Sequence, residues 1–416
     1  MVTRLRENRD FRLLWGGEAL SQLGSQISMV AFPLLVLALT GSAAKAGVVG
    51  LAKWLPLLVM SLPAGMLADR FDRKRLMVGS DVIRALLLAS IPVALVLGTP
   101  SFLQVAAVAF LDGCLFTLRY VCERGALAHV VPREQVPHAV AQNEARTFAA
   151  SIAGPPLGGF LFAVAQALPF AADAVSYLAS MVSVALTHSR FQDPPAPQLR
   201  APGRWGGVGQ GLAWLWRHPF FRSSALLFAA GNPLYTGLYL LAILLAKRHG
   251  ASSAAVGAMF AVVGAGGLLG AVMAGRMRAA ISPRAALIGE SWLLAAVIPL
   301  LFAAQAAPLI GLIVAACELP TPLANSLVSG HRVALTPDHL RGRVQAAGTL
   351  VTMSLAWLGP LAVGVAFQQA GATPTIALVT AWALALAAAT TLTPALHDGP
   401  PGLGRAGNAV SATHPR

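Results

Sequence analysis

Charge is scarce in this chain. Only 11% of its 416 residues are Asp, Glu, Lys or Arg, and just four of them are lysines (Lys45, Lys53, Lys74 and Lys247). Soluble domains carry roughly 25% charged residues, so a water-soluble globule is excluded. Cysteine is almost absent: Cys114, Cys122 and Cys317 all fall inside apolar stretches, without paired spacing. That removes a disulfide framework and, with no histidine cluster nearby, a zinc site. The nine histidines stand almost entirely in loops, and no pair has ligand spacing. No Ser/His/Asp constellation, Walker sequence or phosphate-cradling glycine loop is present, so an enzyme and direct use of ATP are not expected. No metal and no cofactor is expected either. Gly264-Ala-Gly266-Gly267 lies within an apolar span, where small residues serve close helix packing. The opening Met-Val-Thr-Arg-Leu-Arg-Glu-Asn-Arg is charged for too long, and the apolar run after it too lengthy, for a cleaved signal peptide.

Apolar residues supply what charge does not, at 56% of positions with a mean hydropathy of +0.68. They gather in runs about as long as a bilayer span, roughly 20 residues. Twelve such runs lie near 12–40, 46–68, 76–98, 102–123, 142–166, 168–188, 222–246, 253–275, 284–304, 308–330, 344–368 and 373–395. Backbone in lipid must satisfy its own hydrogen bonds, so the runs are expected as helices, spans 1 to 12. The fold class is all-α integral membrane.

The net charge of +14 would suggest nucleic acid in a soluble protein, but here the cations lie in alternate loops, as topology requires. One set of loops holds Arg70, Arg73, Lys74, Arg75, Arg124, Arg133, Arg276, Arg278, Arg341 and Arg343; the opposite set holds Lys45, Lys247 and Arg248. The positive-inside rule then places both termini in the cytoplasm of a bacterial cell, and the chain as a multi-pass protein of the inner membrane. The partners expected are the lipid bilayer, protons and a small-molecule substrate, with no nucleic acid, and the chain is expected to act as a monomer.

The chain divides as 1–188, a first six-helix bundle; 189–221, a cytoplasmic linker; 222–396, a second bundle; and 397–416, a cytoplasmic tail. The linker opens with the stiff Asp193-Pro-Pro-Ala-Pro197, and Trp214 and Trp216 beside Arg217 predict an amphipathic helix at the interface. The halves are related. Pro132 and Pro337 lie 205 residues apart (337 − 132), and the same offset separates Gly154-Pro155 from Gly359-Pro360, Gly159 from Gly364, Phe162 from Phe367 and Pro169 from Pro374. Two same-handed bundles of six helices follow, with a substrate site between them near the bilayer midplane.

Each polar group inside a span costs about 2.5–3.5 kcal/mol when ionised and asks for a reason. Span 1 carries Glu18, Ser21, Gln22, Ser25 and Gln26 on one helix face, read either as cavity lining or as a hydrogen-bonded packing seam. Span 4 carries Asp112, Arg119 and Glu123 on one face. Arg119 and Glu123 are four apart and expected to pair, whereas Asp112 is either a protonation site or the anion of a static lock. The second half offers Asn232, Tyr235 and Tyr239 on span 7, Glu290 on span 9, and Glu318 and Asn325 on span 10, around Pro320 and Pro322. Asp81 and Arg84 are expected to pair with each other or with loop charges, Asp173 to hydrogen-bond, and Lys53 to snorkel to the outer interface.

Between spans 2 and 3, six of the eleven residues Gly65-Met-Leu-Ala-Asp69-Arg70-Phe-Asp72-Arg73-Lys74-Arg75 are charged. This loop resembles the signature of the major facilitator superfamily, with Asp72 where Gly is usual. Gly154-Pro155-Pro-Leu-Gly158-Gly159 resembles the span 5 motif of its drug–proton antiporters. Ser21-Gln-Leu-Gly24, Asp81-x-x-Arg84, Pro169-Phe-x-x-Asp173-Ala-x-Ser176 and Arg341-Gly-Arg343 are similar to its bacterial efflux branch, which includes enterobactin and macrolide exporters. The resemblance implies twelve helices in two pseudo-symmetric bundles and a gate at the cytoplasmic rim. There Asp69 would meet the start of span 11 at Arg341 and Arg343, and Arg73 would reach Glu123.

Together these readings predict a proton-coupled exporter of lipophilic or amphipathic molecules, such as a drug, siderophore or secondary metabolite. Its cavity would lie between spans 1, 4, 7 and 10 and be lined by Glu18, Gln22, Gln26, Asp112, Arg119, Asn232, Tyr235, Tyr239, Glu318 and Asn325. Glu18 and Asp112, then Glu318 and Glu290, are the candidates for proton coupling. An importer or uniporter of the same fold stands as the alternative, with a lipid scramblase or intramembrane enzyme as a different class.

Overall fold

A computed structural model describes residues 5, 7–192, 206–337 and 340–396. The proline-rich start of the linker (193–205) and the tail (397–416) lie outside the described residues. Among the described residues there are twelve helices long and apolar enough to cross a membrane, and no strand.

The first bundle consists of α1 (Arg9–Thr40), α2 (Ala43–Arg70), α3 (Arg73–Leu97), α4 (Phe102–Val130), α5 (Val136–Val164) and α6 (Leu168–Ala185). A short helix α7 (Gly206–Arg217) precedes the second bundle, which opens with α8 (Pro219–Arg248) and α9 (Ser253–Met277). Span 9 is α10 (Pro283–Val297), tightening into a 3₁₀ turn at Ile298–Phe302, where Pro299 removes a donor. Span 10 is α11 (Ala307–Glu318) and α12 (Thr321–Leu335); Pro320 and Pro322 cannot donate within the helix, and the ladder breaks just after Glu318. Span 11 is α13 (Arg341–Met353) and α14 (Leu358–Ala370), and span 12 is α15 (Ala372–Leu392).

Helix starts follow from capping side chains. Ser42, Asp72, Ser101, Ser252 and Ser282 each accept from a backbone N–H three residues on. Asp72 explains the departure from glycine in the signature loop. Its carboxylate caps α3 by accepting from the Arg75 N–H at 2.8 Å, so the turn between α2 and α3 is only Phe71 and Asp72. Most of the expected loop is therefore helix.

In the first bundle α1 packs on α5 and α6, α2 on α4, and α3 on α4 and α6; in the second, α8 packs on α14, α9 on α11 and α10 on α15. α7 lies on α13, with Leu215 fully buried, Gln210 hydrogen-bonded to Arg343, and Trp214 stacked on Phe221 and tilted against His218.

The two bundles meet along α5–α9 and α2–α14. Both seams lie toward the face opposite the basic loops, and both are built on glycine. A Cβ on Gly159 of α5 would stand 2.5 Å from the Cα of Gly257 in α9; one on Gly364 of α14 would stand 2.8 Å from the Cα of Gly47 in α2. Backbone touches backbone there, and any side chain would wedge the bundles apart. The 205-residue offset thus marks one close approach used twice. Its companions behave alike: Gly154 packs on Gln26 of α1, and Gly359 on the carbonyl of Pro233 in α8. Toward the basic face the bundles part, and Asp69 is 80% exposed at its side chain.

Candidate substrate cavity and buried charge networks

Below the glycine seams, the space between the bundles holds adjoining cavities that share lining residues, together called the chamber. One part, about 580 Å³, is lined by Asn232 and Tyr235 of α8, Glu290 of α10, Glu318 of α11, and Thr321 and Asn325 of α12, among others. A second, about 320 Å³, shares Asn232 and Tyr235 and adds Gln26 and Phe32 of α1, Lys53 of α2, Tyr239 of α8 and Phe260 of α9. Gln22 lines a further cavity near the basic face, with Glu123 and Arg146.

The second-bundle wall is built around a hydroxyl relay. Tyr235 donates to Glu290 Oε1 at 2.8 Å and accepts from the Thr321 hydroxyl at 2.9 Å, and Tyr239 and Glu318 line the adjoining cavity. Among the described residues, no cation lies within ion-pair distance of Glu290 or Glu318. Asn232 also has a structural task. It donates to the Thr352 carbonyl at 2.7 Å, and Thr236 donates to that of Ala356 at 2.7 Å. Both satisfy carbonyls released where span 11 breaks between α13 and α14.

The first bundle is organised differently, and several expectations fail there. Glu18, Asp112 and Arg119 do not line the chamber; each is at most 4% exposed and lies within the bundle. Of the two readings of Asp112, the structure has the lock, with partners on neighbouring helices. Lys53 Nζ lies 2.7 Å from its Oδ2, and Arg84 Nε 2.9 Å from its Oδ1. Arg84 also donates to the Tyr177 hydroxyl at 2.5 Å and sits over that ring, 3.9 Å from its centroid. Tyr177 donates in turn to Asp173 Oδ2 at 3.2 Å. Lys53 therefore does not snorkel outward, because a buried carboxylate holds it at mid-depth.

Arg119 does not pair with Glu123. It binds Glu18 of α1, Asp81 of α3 at 2.6 Å and the Ser180 hydroxyl of α6 at 2.7 Å, joining four helices at one guanidinium. Asp81 and Arg84 accordingly do not pair with each other. Glu123 takes Arg146 of α5 at 2.9 Å instead. Span 4 thus contributes to the chamber only near its basic end, at Arg124, while spans 5, 8 and 9 contribute walls that the sequence reading left out.

The expected gate contacts are not made in this state. Asp69 pairs with Arg73 at 3.5 Å, one turn along, and not with Arg341 or Arg343, both exposed. Arg73 donates to the Ala68 carbonyl at 3.2 Å and lies against Gly125, whose missing side chain leaves it room. It reaches α4 but not Glu123. Lys74 donates to the carbonyls of Ala185 and Thr187 at 3.1 and 2.6 Å, closing the last turn of α6. Arg70 is exposed and lies over the Phe71 ring, and Gly65 faces open space. In the span 5 motif, Gly154 and Gly158 face α1, Gly159 faces α9, and Pro155 lines the chamber.

Phe260, Thr321 and Ser151 line the chamber and were not singled out from sequence, and Lys53, read there as snorkelling, lines it too. Lys53 carries a usable signal: it lies ten residues from the far-face end of α2 (53 − 43), as Asp112 does in α4 (112 − 102). An apolar chamber residue such as Phe260 carries none, since a lipid-facing position looks the same.

A family model described as transmembrane secretion effector matches residues 4–400. The multidrug efflux pump Tap of Mycolicibacterium fortuitum is 26% identical over 349 residues, covering 81% of this chain and 83% of the relative. Macrolide efflux protein A of Streptococcus pyogenes is 37% identical over 75 residues, 18% of each chain. Among solved structures, a bacterial homologue of the human lysosomal transporter Spinster, in an inward-facing, unoccupied conformation, aligns with a TM-score of 0.69 at 14% identity, covering 93% of this chain and 97% of that one. At that identity the likeness shows the fold.

Proposed function

The chain belongs to the transmembrane secretion effector family of the major facilitator superfamily, and from that premise we propose that it is a proton-driven exporter of lipophilic or amphipathic small molecules, working by alternating access in the bacterial cytoplasmic membrane. The basic loops favour cytoplasmic termini; on that orientation the described state is open to the cytoplasm and sealed at the far face by the glycine seams. The efflux relatives favour export.

One observation carries the coupling. Among the described residues, Glu290 and Glu318 line the chamber with no cation in ion-pair distance, whereas Glu18, Asp81, Asp112 and Glu123 of the first bundle are each held by one or two. A carboxylate beside a buried guanidinium holds its charge more firmly than one backed only by hydroxyls. A chamber carboxylate of the second kind can exchange its proton. Protonation removes its charge and changes which conformation is favoured, and each proton entering down 100 mV supplies about 2.3 kcal/mol. Gating follows if Asp69 leaves Arg73 to meet Arg341 or Arg343 when the basic face closes.

The test is efflux from inverted vesicles under an imposed pH gradient. Export that collapses with the gradient supports the reading; export indifferent to it removes the proton coupling.

A further inference from the structure

A separate cavity of about 630 Å³ lies at the far face, on the other side of the glycine seams from the chamber. Its lining starts where the seams end. Ala43 lies four residues from Gly47 of the α2–α14 seam (47 − 43), and Gln166 seven from Gly159 of the α5–α9 seam (166 − 159). Both bundles supply walls, α1, α2 and α5 from the first and α8, α9 and α14 from the second. The apolar part includes Phe162 and Phe367, a pair related by the 205-residue offset (367 − 162). Such a volume falls within the range of small-molecule sites, roughly 300–1,000 Å³.

Its charge is all of one sign. Lys247 and Arg248, the last residues of α8, both line it, and among the described residues no carboxylate lies within ion-pair distance of either. Lys247 is held in place, donating to the Ala251 carbonyl at 3.2 Å and to the Ser253 hydroxyl at 3.1 Å. Arg248 extends to the turn after α14, where a Cβ on Gly371 would stand 4.0 Å from its Nη1. None of the chain's 16 Asp and Glu residues stands in a far-face loop or in the helix turn beside one. Cations on this face run against the bias that fills the basic loops, so topology does not account for the pair. An ammonium beside a guanidinium matches the several oxygens of a phosphate, and the apolar walls suit a hydrocarbon chain attached to it.

We propose that this vestibule binds an amphiphilic phosphate, its head at Lys247 and Arg248 and its chain against Phe162 and Phe367, and that the bound anion holds the far face sealed. The walls come from both bundles, so the site is assembled only while they meet there. A ligand that binds only the assembled site shifts the equilibrium toward the sealed state. The sealing role rests on the alternating access of the reading above; the site itself does not.

The test uses the full chain in phosphatidylcholine nanodiscs and dodecyl phosphate whose chain ends in a photoreactive diazirine. Saturable labelling should map to 34–38, 162–166 and 367–368. Unlabelled dodecyl phosphate should compete, dodecyltrimethylammonium should not, and the double variant Lys247→Gln, Arg248→Gln should lower labelling several-fold. Labelling spread without saturation over lipid-facing helices, labelling confined to the central chamber, or vestibule labelling indifferent to the double variant overturns the proposal. Nanodiscs that also contain phosphatidylglycerol distinguish the sources: several-fold competition by the lipid supports a headgroup site, and unchanged labelling supports a site for a free anion. Gly159→Leu, checked as monodisperse, tests the sealing role. Labelling should fall several-fold where this variant widens far-face distances, and full labelling with widened distances overturns that role. No gradient is applied, so failure here is distinct from failure of proton-driven efflux.

Discussion

Lys53 and Asp112 stand at equal depth, ten residues from the far-face ends of α2 and α4, and their charges meet at 2.7 Å. With Arg84 on the other carboxylate oxygen, Asp112 is an anion between two cations and closes three helices of the first bundle. This lock predicts that Asp112→Asn costs stability before it costs transport. Removing one partner of a buried ion pair typically costs about 3–5 kcal/mol. Thermal unfolding in detergent should show a large fall for Asp112→Asn and a smaller one for Lys53→Met, which leaves the Arg84 pair in place.

Arg119 serves two acids, Glu18 and Asp81. Arg119→Met strands two carboxylates near one another and should abolish stable expression. Glu18→Gln leaves the 2.6 Å pair with Asp81 intact and should be tolerated. The triple variant Arg119→Met, Glu18→Gln, Asp81→Asn should recover much of the loss, because no buried charge remains without a partner. Yield and monodispersity on size exclusion read out all three.

The twelve spans were legible in the sequence for a physical reason, whereas the two seams were not read from it. Lipid forces helices and sustained hydropathy, and the repeat offset picked out Gly159 and Gly364, the glycines that let the bundles touch. The ion pairs were misread, because spacing along one helix reports its own face and not what stands opposite. Arg119 and Glu123 have ideal spacing for each other, yet each finds a stronger partner on a neighbouring helix at matching depth. Counting residues from the same membrane face, as for Lys53 and Asp112, carries the information that face periodicity omits. Which acids would remain unpaired could not be read at all, since it depends on every cation that reaches them.

The far-face seal has no room for a side chain at Gly159 or Gly364. Gly159→Leu should therefore disfavour the described state and populate one open at the far face, with the paired change at Gly364 acting alike. Spin labels placed at Ala165 and Ser252, at the far-face ends of α5 and α9, should report longer distances in the variant. An unchanged distribution would mean that the seam yields without separating the bundles.

Tyr235 links Glu290 to Thr321 through one hydroxyl. Tyr235→Phe removes a hydrogen bond to a buried charged group, worth about 1.5–3 kcal/mol, without altering chamber shape. Coupled efflux should fall by about tenfold, one such increment being a factor of ten per 1.4 kcal/mol, with little change in thermal stability. A stability loss as large as that of Asp112→Asn would instead make Tyr235 part of the scaffold.

The central claim is that coupling resides in Glu290 and Glu318, the chamber carboxylates of the second bundle that have no cation partner among the described residues. It is tested most directly by uphill efflux under a pH gradient in proteoliposomes holding Glu290→Gln, Glu318→Gln or Glu18→Gln, with downhill substrate exchange measured in parallel. The account predicts that Glu290→Gln or Glu318→Gln loses uphill efflux while keeping exchange, and that Glu18→Gln keeps both. Gradient-driven efflux at the wild-type level in both chamber variants, with its loss in a well-folded Glu18→Gln, would contradict it.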